Sequence, residues 1–223
     1  MNTFWWFLLI AVNFGGIIIV YRIFGRQGLL VWVPISAIVA NIQVIKLIEV
    51  FGFEATLGNI VYATSFLATD ILSENHGKKD ARLGVLMAMV FLALVTLIMF
   101  IAVRFTPSEA DTAHRHLAAV FELMPRIAGA SFAAFALSQL HDVWAYHFWK
   151  QKKPGKRFIW IRNNASTLVS QAIDSAIFTV GAFAGVLPPA VLVEIIFTTY
   201  LFKIVVAALD TPLVYLAAGF AKK

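Results

Sequence analysis

The chain has 223 residues, 61% of them hydrophobic and 13% charged, with a mean hydropathy of +0.83. A water-soluble domain of this size has no interior large enough for so much apolar surface, so the chain is read as an integral membrane protein. Having no cysteine, it offers no disulfide or thiolate metal site, and its net charge of +6 suits cationic loops on an anionic lipid face rather than nucleic acid.

The apolar runs are too long and too unalternating for barrel strands, so each is expected to be a helix whose backbone is satisfied internally. Seven are expected: Phe4 to Tyr21, Leu29 to Phe51, Leu57 to Ser73, Leu83 to Phe105, His116 to Trp149, Asn164 to Leu187, and Pro189 to Phe220. About 20 apolar residues suffice to cross, so the fifth and seventh carry a tilt, a break or an interfacial extension. The first ten residues lack the positive start and small-residue cleavage site of a secretory signal and are read as part of a mature helix. Lys and Arg crowd the first, third and fifth connections and the tail, the second and sixth connections hold none, and the fourth holds Arg104, Arg115 and Arg126. By the positive-inside rule the N-terminus is expected outside and the C-terminus in the cytoplasm.

In the first helix Trp5 and Trp6 read as an interfacial belt. The second carries Asn41, Gln43, Lys46 and Glu49, with Lys46 and Glu49 three apart and expected within pairing reach on a helix. The third ends in Asp70 and Glu74, one turn apart, followed at once by Gly77, Lys78, Lys79, Asp80 and Arg82. A carboxylate near hydrocarbon is costly without a partner, which marks both acids as site candidates. The fourth connection, with Pro107 and Pro125, reads as an outer loop with an amphipathic element, and its His114 and His116 as solvated side chains rather than metal ligands.

The fifth and sixth helices repeat one pattern. Ser138-Gln139-x-x-Asp142 is echoed by Ser170-Gln171-x-x-Asp174, each preceded by an arginine, Arg126 or Arg162. Serine and glutamine can serve simply as interhelical glue, but an intramembrane aspartate is an expensive way to make it. In the last helix Lys203 and Asp210, seven apart, share a face as a structural or gating pair, and Thr211-Pro212 marks a kink.

The run from Ala68 to Arg82, the paired S-Q-x-x-D segments, Arg126 and the R-N-N-A-S run from Arg162 to Ser166 together resemble the queuosine precursor transporter family, the bacterial vitamin uptake transporters. The resemblance covers most of the chain from about Asn59 to Phe183. It implies an all-α polytopic bundle of about seven transmembrane helices, a six-helix core plus an N-terminal helix, forming one transporter domain over residues 1–223. The core is distantly similar to the substrate-binding subunits of energy-coupling-factor vitamin transporters.

The implied activity is import of 7-cyano-7-deazaguanine, with 7-aminomethyl-7-deazaguanine as a second candidate, across the bacterial inner membrane for tRNA modification. No cofactor, metal or catalysis is implied, and a homo-oligomer is left open. A deazaguanine offers a ring N–H and an exocyclic amine to one carboxylate and a carbonyl to an amide or arginine. The expected substrate residues are therefore Asp70, Glu74, Gln139, Asp142, Gln171 and Asp174, with Arg126 and Asn41 behind them. Tyr62, Phe66, Trp144 and Trp160 are candidate stacking rings. Asp70 and Glu74 have an alternative role as a gate held by Arg82, Arg162 or Lys78, and Lys203 and Asp210 a gating or pairing role.

Two rival functions stand beside this one. A subunit serving a separate ATPase would present small-residue stripes such as Ser36-x-x-x-Ala40 and Gly181-x-x-x-Gly185 to its partner; the chain itself has no P-loop. A membrane hydrolase would need Ser138, His141 and Asp142 as a triad, and no strained nucleophile turn is visible.

Overall fold

A computed structural model of the chain describes residues 2–44, 46–50, 53–121, 125–185 and 188–219, with backbone alone at 47, 53–56, 125, 127–128, 191, 202 and 206–210. The first element, α1 (Asn2–Gln43), is two helices joined at Gly25, whose φ of +57° and ψ of −138° suit only glycine. The kink folds the two limbs against each other, so that the Trp32 ring packs over Gly16. This accounts for the first two expected spans.

The second expected helix stops early. Residues Leu47–Val50 (β1) and Phe53–Thr56 (β2) form an antiparallel hairpin, with Leu47 opposite Thr56 and Val50 opposite Phe53; Phe51 lies outside the described residues. The segment is rich in branched and aromatic side chains and has Gly52 between its two halves, which favours a strand pair over a charged helix end. Lys46 and Glu49 form no ion pair among the described residues, because positions three apart in an extended chain point to opposite faces. Glu49 instead accepts through its carbonyl from the Asn2 side chain, which ties the N-terminus to the hairpin.

Helix α2 (Asn59–Asn75) is buried without interruption from Ile60 to Ser73 and touches α1, α3, α5 and α7, which makes it the axis of the bundle. Helix α3 (Lys78–Ala102) follows after the Gly77 turn. The fifth expected span divides into a short α4 (His114–Phe121) and a long α5 (Pro125–Lys152), the latter starting at a proline whose missing N–H costs nothing in a first turn. Ahead of α4 the Asp111 carboxylate accepts from the backbone N–H groups of His114 and Ala113, which holds it below the usual carboxylate range. A 3₁₀ turn (Lys156–Phe158) leads into α6 (Ile159–Phe183), and α7 (Pro189–Ala218) completes the bundle with Pro212 inside it.

Among the described residues α1 and α3 are the helices apolar enough by composition to cross a membrane without help, and both expose much of that surface. Helices α2, α5 and α6 carry their polar residues inward, with Ser138, Gln139, Asp142, Arg162, Gln171 and Asp174 all buried. Uncovered Leu, Val, Phe and Trp side chains on α3, α5, α6 and α7 complete a lipid-facing jacket. This polarity is the reverse of a soluble bundle and is stable where the surroundings are hydrocarbon.

The charged connections gather at one end. Arg26 forks onto Asp80 (2.5 and 2.7 Å), Asn75 donates to Tyr21 and to the Ala217 carbonyl, and Lys150 donates to the carbonyls of Ser73 and Glu74. The first, third and fifth connections and the end of α7 therefore share this basic end, and the hairpin lies at the other.

Candidate functional site

Between the two ends α2, α5, α6 and α7 enclose a column of polar side chains in three layers. Along α6 the layers are marked by Arg162, by Thr167 and Gln171, and by Asp174, which at about 1.5 Å per residue span roughly 18 Å. The i, i+4 spacing of Asn163, Thr167 and Gln171 puts them on one stripe, and Ser138, Asp142, Tyr146 and Lys150 form the facing stripe on α5.

At the basic end Glu74 is held by a bidentate fork from Arg162, Nε to Oε2 at 3.0 Å and Nη2 to Oε1 at 2.6 Å. Arg162 is 1% exposed, and its remaining Nη1 donates to the carbonyls of Lys153 and Gly155. Tyr146 adds a hydroxyl donor to Glu74 at 3.2 Å, and Lys150 stands 3.4 Å from the same carboxylate while covering the C-terminal carbonyls of α2. A planar guanidinium with every face committed is a strong closure, since breaking a buried pair costs about 3–5 kcal/mol.

The hairpin-end layer is built on Asp174. It pairs with Lys203, accepts from the Tyr62 hydroxyl at 2.5 Å and from Ser138 at 3.3 Å, and the Lys203 ammonium also lies 5.2 Å from the Tyr62 ring centre. Above it a pocket of about 80 Å³ is lined by Asn41, Gly58, Asn59, Ser131 and Phe178. A larger apolar cavity of about 470 Å³ lies to the side between α1, α3 and α5, with Asn41 shared between the two.

The middle layer holds the second pair of acids. Thr167 Oγ1 lies 3.5 Å from Asp70 Oδ2 and 3.5 Å from Asp142 Oδ1, and Asp142 also contacts Asp70, Ser166 and Ser170. Both carboxyls are 0% exposed. Gln139 is occupied by Ser65 at 2.6 Å and Thr69 at 3.3 Å. Gln171 differs: it is 1% exposed, yet neither its Oε1 nor its Nε2 has a hydrogen-bond partner, and Asp142 Oδ2 has none either. Such groups are costly to bury and rare in a folded interior.

The structure thus brings Asp70, Glu74, Gln139, Asp142, Gln171, Asp174, Arg162 and Lys203 into one column and leaves other expected residues outside it. Arg126 is exposed and donates to the carbonyls of Gly181 and Ala184, closing the C-terminal end of α6. Asn41 bonds back to the Ala37 carbonyl at the pocket rim. Arg82 is exposed and joins no ion pair among the described residues, because Glu74 is taken by Arg162. Lys203 turns across to Asp174 on α6 rather than along its own helix; the Asp210 side chain lies outside the described residues.

Trp144 and Trp160 face outward at 50% and 54% exposure, whereas Tyr62 and Phe66 are buried edge-to-face at 5.4 Å. His141 Nδ1 contacts Ser170 at 3.0 Å while Ser138 faces Asp174, so the three residues of the imagined triad do not assemble. One small residue of each stripe packs against another part of this chain, Ala40 with its carbonyl close against Gly58 and Gly181 against Ala130, while Gly185 stands exposed. Thr167, Tyr146 and Lys150 were not expected in the column. Their i+4 spacing from Asn163, Asp142 and Tyr146 is the signal that reveals them.

Residues 56–217 match the family model described as "Putative vitamin uptake transporter". Over 216 residues, 97% of this chain and 94% of the relative, the chain is 39% identical to the "Probable queuosine precursor transporter" of Bacillus subtilis strain 168. It is 29% identical over 165 residues to the "Queuosine precursor transporter" of Escherichia coli K12, covering 72% of this chain and 71% of that one. A third relative, the "Probable queuosine precursor transporter" of Haemophilus influenzae, is 30% identical over 161 residues, 69% of this chain and 64% of the relative. No solved structure matches the chain.

Proposed function

The chain belongs to the vitamin uptake transporter family that includes the queuosine precursor transporters, and from that membership we propose how it carries its cargo: it imports 7-cyano-7-deazaguanine, or its 7-aminomethyl counterpart, across the bacterial inner membrane for tRNA modification. It is a transporter of a small molecule in a membrane and not an enzyme. In this reading residues 1–223 act as one transport unit, with the N-terminus periplasmic and the basic end, including the C-terminus, in the cytoplasm.

The observation that carries the mechanism is Gln171, a fully buried amide with no partner at either atom, one turn from the threonine that contacts both Asp70 and Asp142. A deazaguanine fits such a layer chemically. Its carbonyl accepts from the Gln171 Nε2, and its ring N–H and exocyclic amine donate toward the Asp142 carboxylate, whose Oδ2 has no partner. Gln139, held by Ser65 and Thr69, backs that layer as a pre-set donor.

The ion-paired layers on either side serve as doors. Tyr62, Asp174 and Lys203 close the layer toward the periplasm, with Asn41 at the rim of the vestibule, and Glu74, Arg162, Tyr146 and Lys150 close it toward the cytoplasm. Asp210 belongs to this reading only through its place on α7, and Arg126 and Arg82 act as supports at the two ends. Alternating access follows if one door opens while the other is shut.

Calorimetry on the detergent-purified protein tests the assignment. The parent is expected to bind 7-cyano-7-deazaguanine, and Gln171→Leu and Asp142→Asn are each expected to weaken it by at least about tenfold, or ~1.4 kcal/mol. Absence of binding to the parent, or full binding by both variants, overturns the site. Accumulation by the protein alone in vesicles separates a self-sufficient carrier from a subunit awaiting an ATPase.

A further inference from the structure

The middle layer contains more acid than the base needs. Along the column Glu74 faces Arg162 and Lys150, and Asp174 faces Lys203. Asp142 is instead surrounded by Asp70 and the hydroxyls of Ser166, Thr167 and Ser170, and its Oδ2 has no donor although the side chain is wholly buried. Two ionised carboxylates in contact and out of water are strongly disfavoured, and a single shared hydrogen satisfies both charge and geometry.

We infer that the Asp70 and Asp142 carboxyls form a proton-binding pair and that one proton crosses with each molecule of base. The inference rests on the transport reading above and deepens it. With the hydrogen on Asp70, donated toward Asp142, one negative charge remains to receive the paired donors of the base. Without it, mutual repulsion spreads the carboxyls and the layer cannot close around its cargo. Proton and base therefore bind together from the outer side and leave together to the cytoplasm, where the carboxyl pair gives its proton back to water.

The surrounding groups are compatible with this role. From α2 the pair has Glu74 one turn away; α5 presents His141, engaged with Ser170, and Tyr146, which lies within electrostatic reach of Asp70 and Glu74. Helix α6 brings Arg162 and Asp174, each bound in its own layer, and α7 brings Lys203, with the side chain of Asp210 outside those described. The charged residues of α1 are Arg22 and Arg26, near the Gly25 kink at the basic end beside Tyr21, and α3 has none between Leu83 and Ala102. A threonine hydroxyl that faces both acids provides a path for a proton to pass between them.

The test uses the purified full chain in liposomes loaded with the pH dye pyranine, with sodium-free buffer and the membrane potential clamped. Counterflow of labelled 7-cyano-7-deazaguanine, which needs no driving gradient, is measured in the same vesicles. The expected result is lumenal acidification on addition of the base, at about one proton per molecule taken up, and accumulation that a protonophore abolishes. Counterflow without any lumenal pH change, or accumulation that requires sodium, overturns the proton site alone. Loss of counterflow in the parent overturns the transport reading and the proton site with it.

A second arm reads base affinity against pH. In the parent the dissociation constant is expected to rise up to about tenfold per pH unit on the alkaline side, as one linked proton requires. In Asp70→Asn, whose amide supplies the hydrogen permanently, the slope is expected to flatten. A full slope retained in that variant counts against the pair, and if the variant does not fold the proton count in the parent decides.

Discussion

In the proposed site a single glutamine distinguishes cost to the fold from service to the cargo. Because Gln171 buries both amide atoms without partners, Gln171→Leu removes an uncompensated polar group at nearly constant volume. We expect the variant to melt at or above the temperature of the parent in the same detergent while losing base binding, which a purely structural amide would not do. Lys203 predicts the opposite. Its ammonium is committed to Asp174 in a layer where both side chains are almost wholly covered, so Lys203→Met leaves a buried charge alone and should cost about 3–5 kcal/mol of stability in a denaturation series. The double variant Lys203→Met with Asp174→Asn should recover much of that loss, and additivity of the two single effects would show that the pair does not exist.

Helix α2 and its neighbours show how much of this architecture was legible in the sequence. The helical character, a helix at each of the seven expected places and the inward acids follow from hydropathy and from the expense of carboxylates in hydrocarbon, although the second ends early at Gln43 and the fifth is divided. The hairpin at Leu47–Thr56 is concealed because its apolar residues continue the preceding helical run, and only its branched and aromatic content and Gly52 betray it. Partnership was less legible than placement. Arg126 and Arg162 each precede one of the two S-Q-x-x-D segments, yet one caps carbonyls at the surface and the other forks onto Glu74. That difference depends on which helix lies opposite, and local spacing is silent on it. Close approach between elements is equally invisible in one dimension. A Cβ at Gly58 would stand 2.5 Å from the Ala40 carbonyl oxygen, so Gly58→Ala should push α2 from α1, distort the outer pocket and lower stability by about 1–3 kcal/mol, measurable as a drop in melting temperature.

At the scale of the whole molecule the two closed layers make a claim about access. Glu74→Gln removes the charged acceptor of the Arg162 fork, so the proposed door at the basic end should open more often. The chain has no cysteine, so a single Ser166→Cys gives a clean reporter one turn above that door. Its labelling by a water-soluble maleimide should quicken about tenfold for each ~1.4 kcal/mol taken from the closed state, and an unchanged rate in the Glu74→Gln background would refute the door. The same burial of α2 has a bearing on how the protein is made. The translocon receives α2 between α1 and α3, both apolar enough to cross a membrane, well before the ribosome has produced the arginine, lysine and aspartate that its acids will face. Alone, a segment carrying Asp70 and Glu74 is a poor candidate for release into lipid. Insertion therefore depends on α1 and α3 acting as chaperones in cis, sheltering a nascent polar face until the last three helices arrive to take it over.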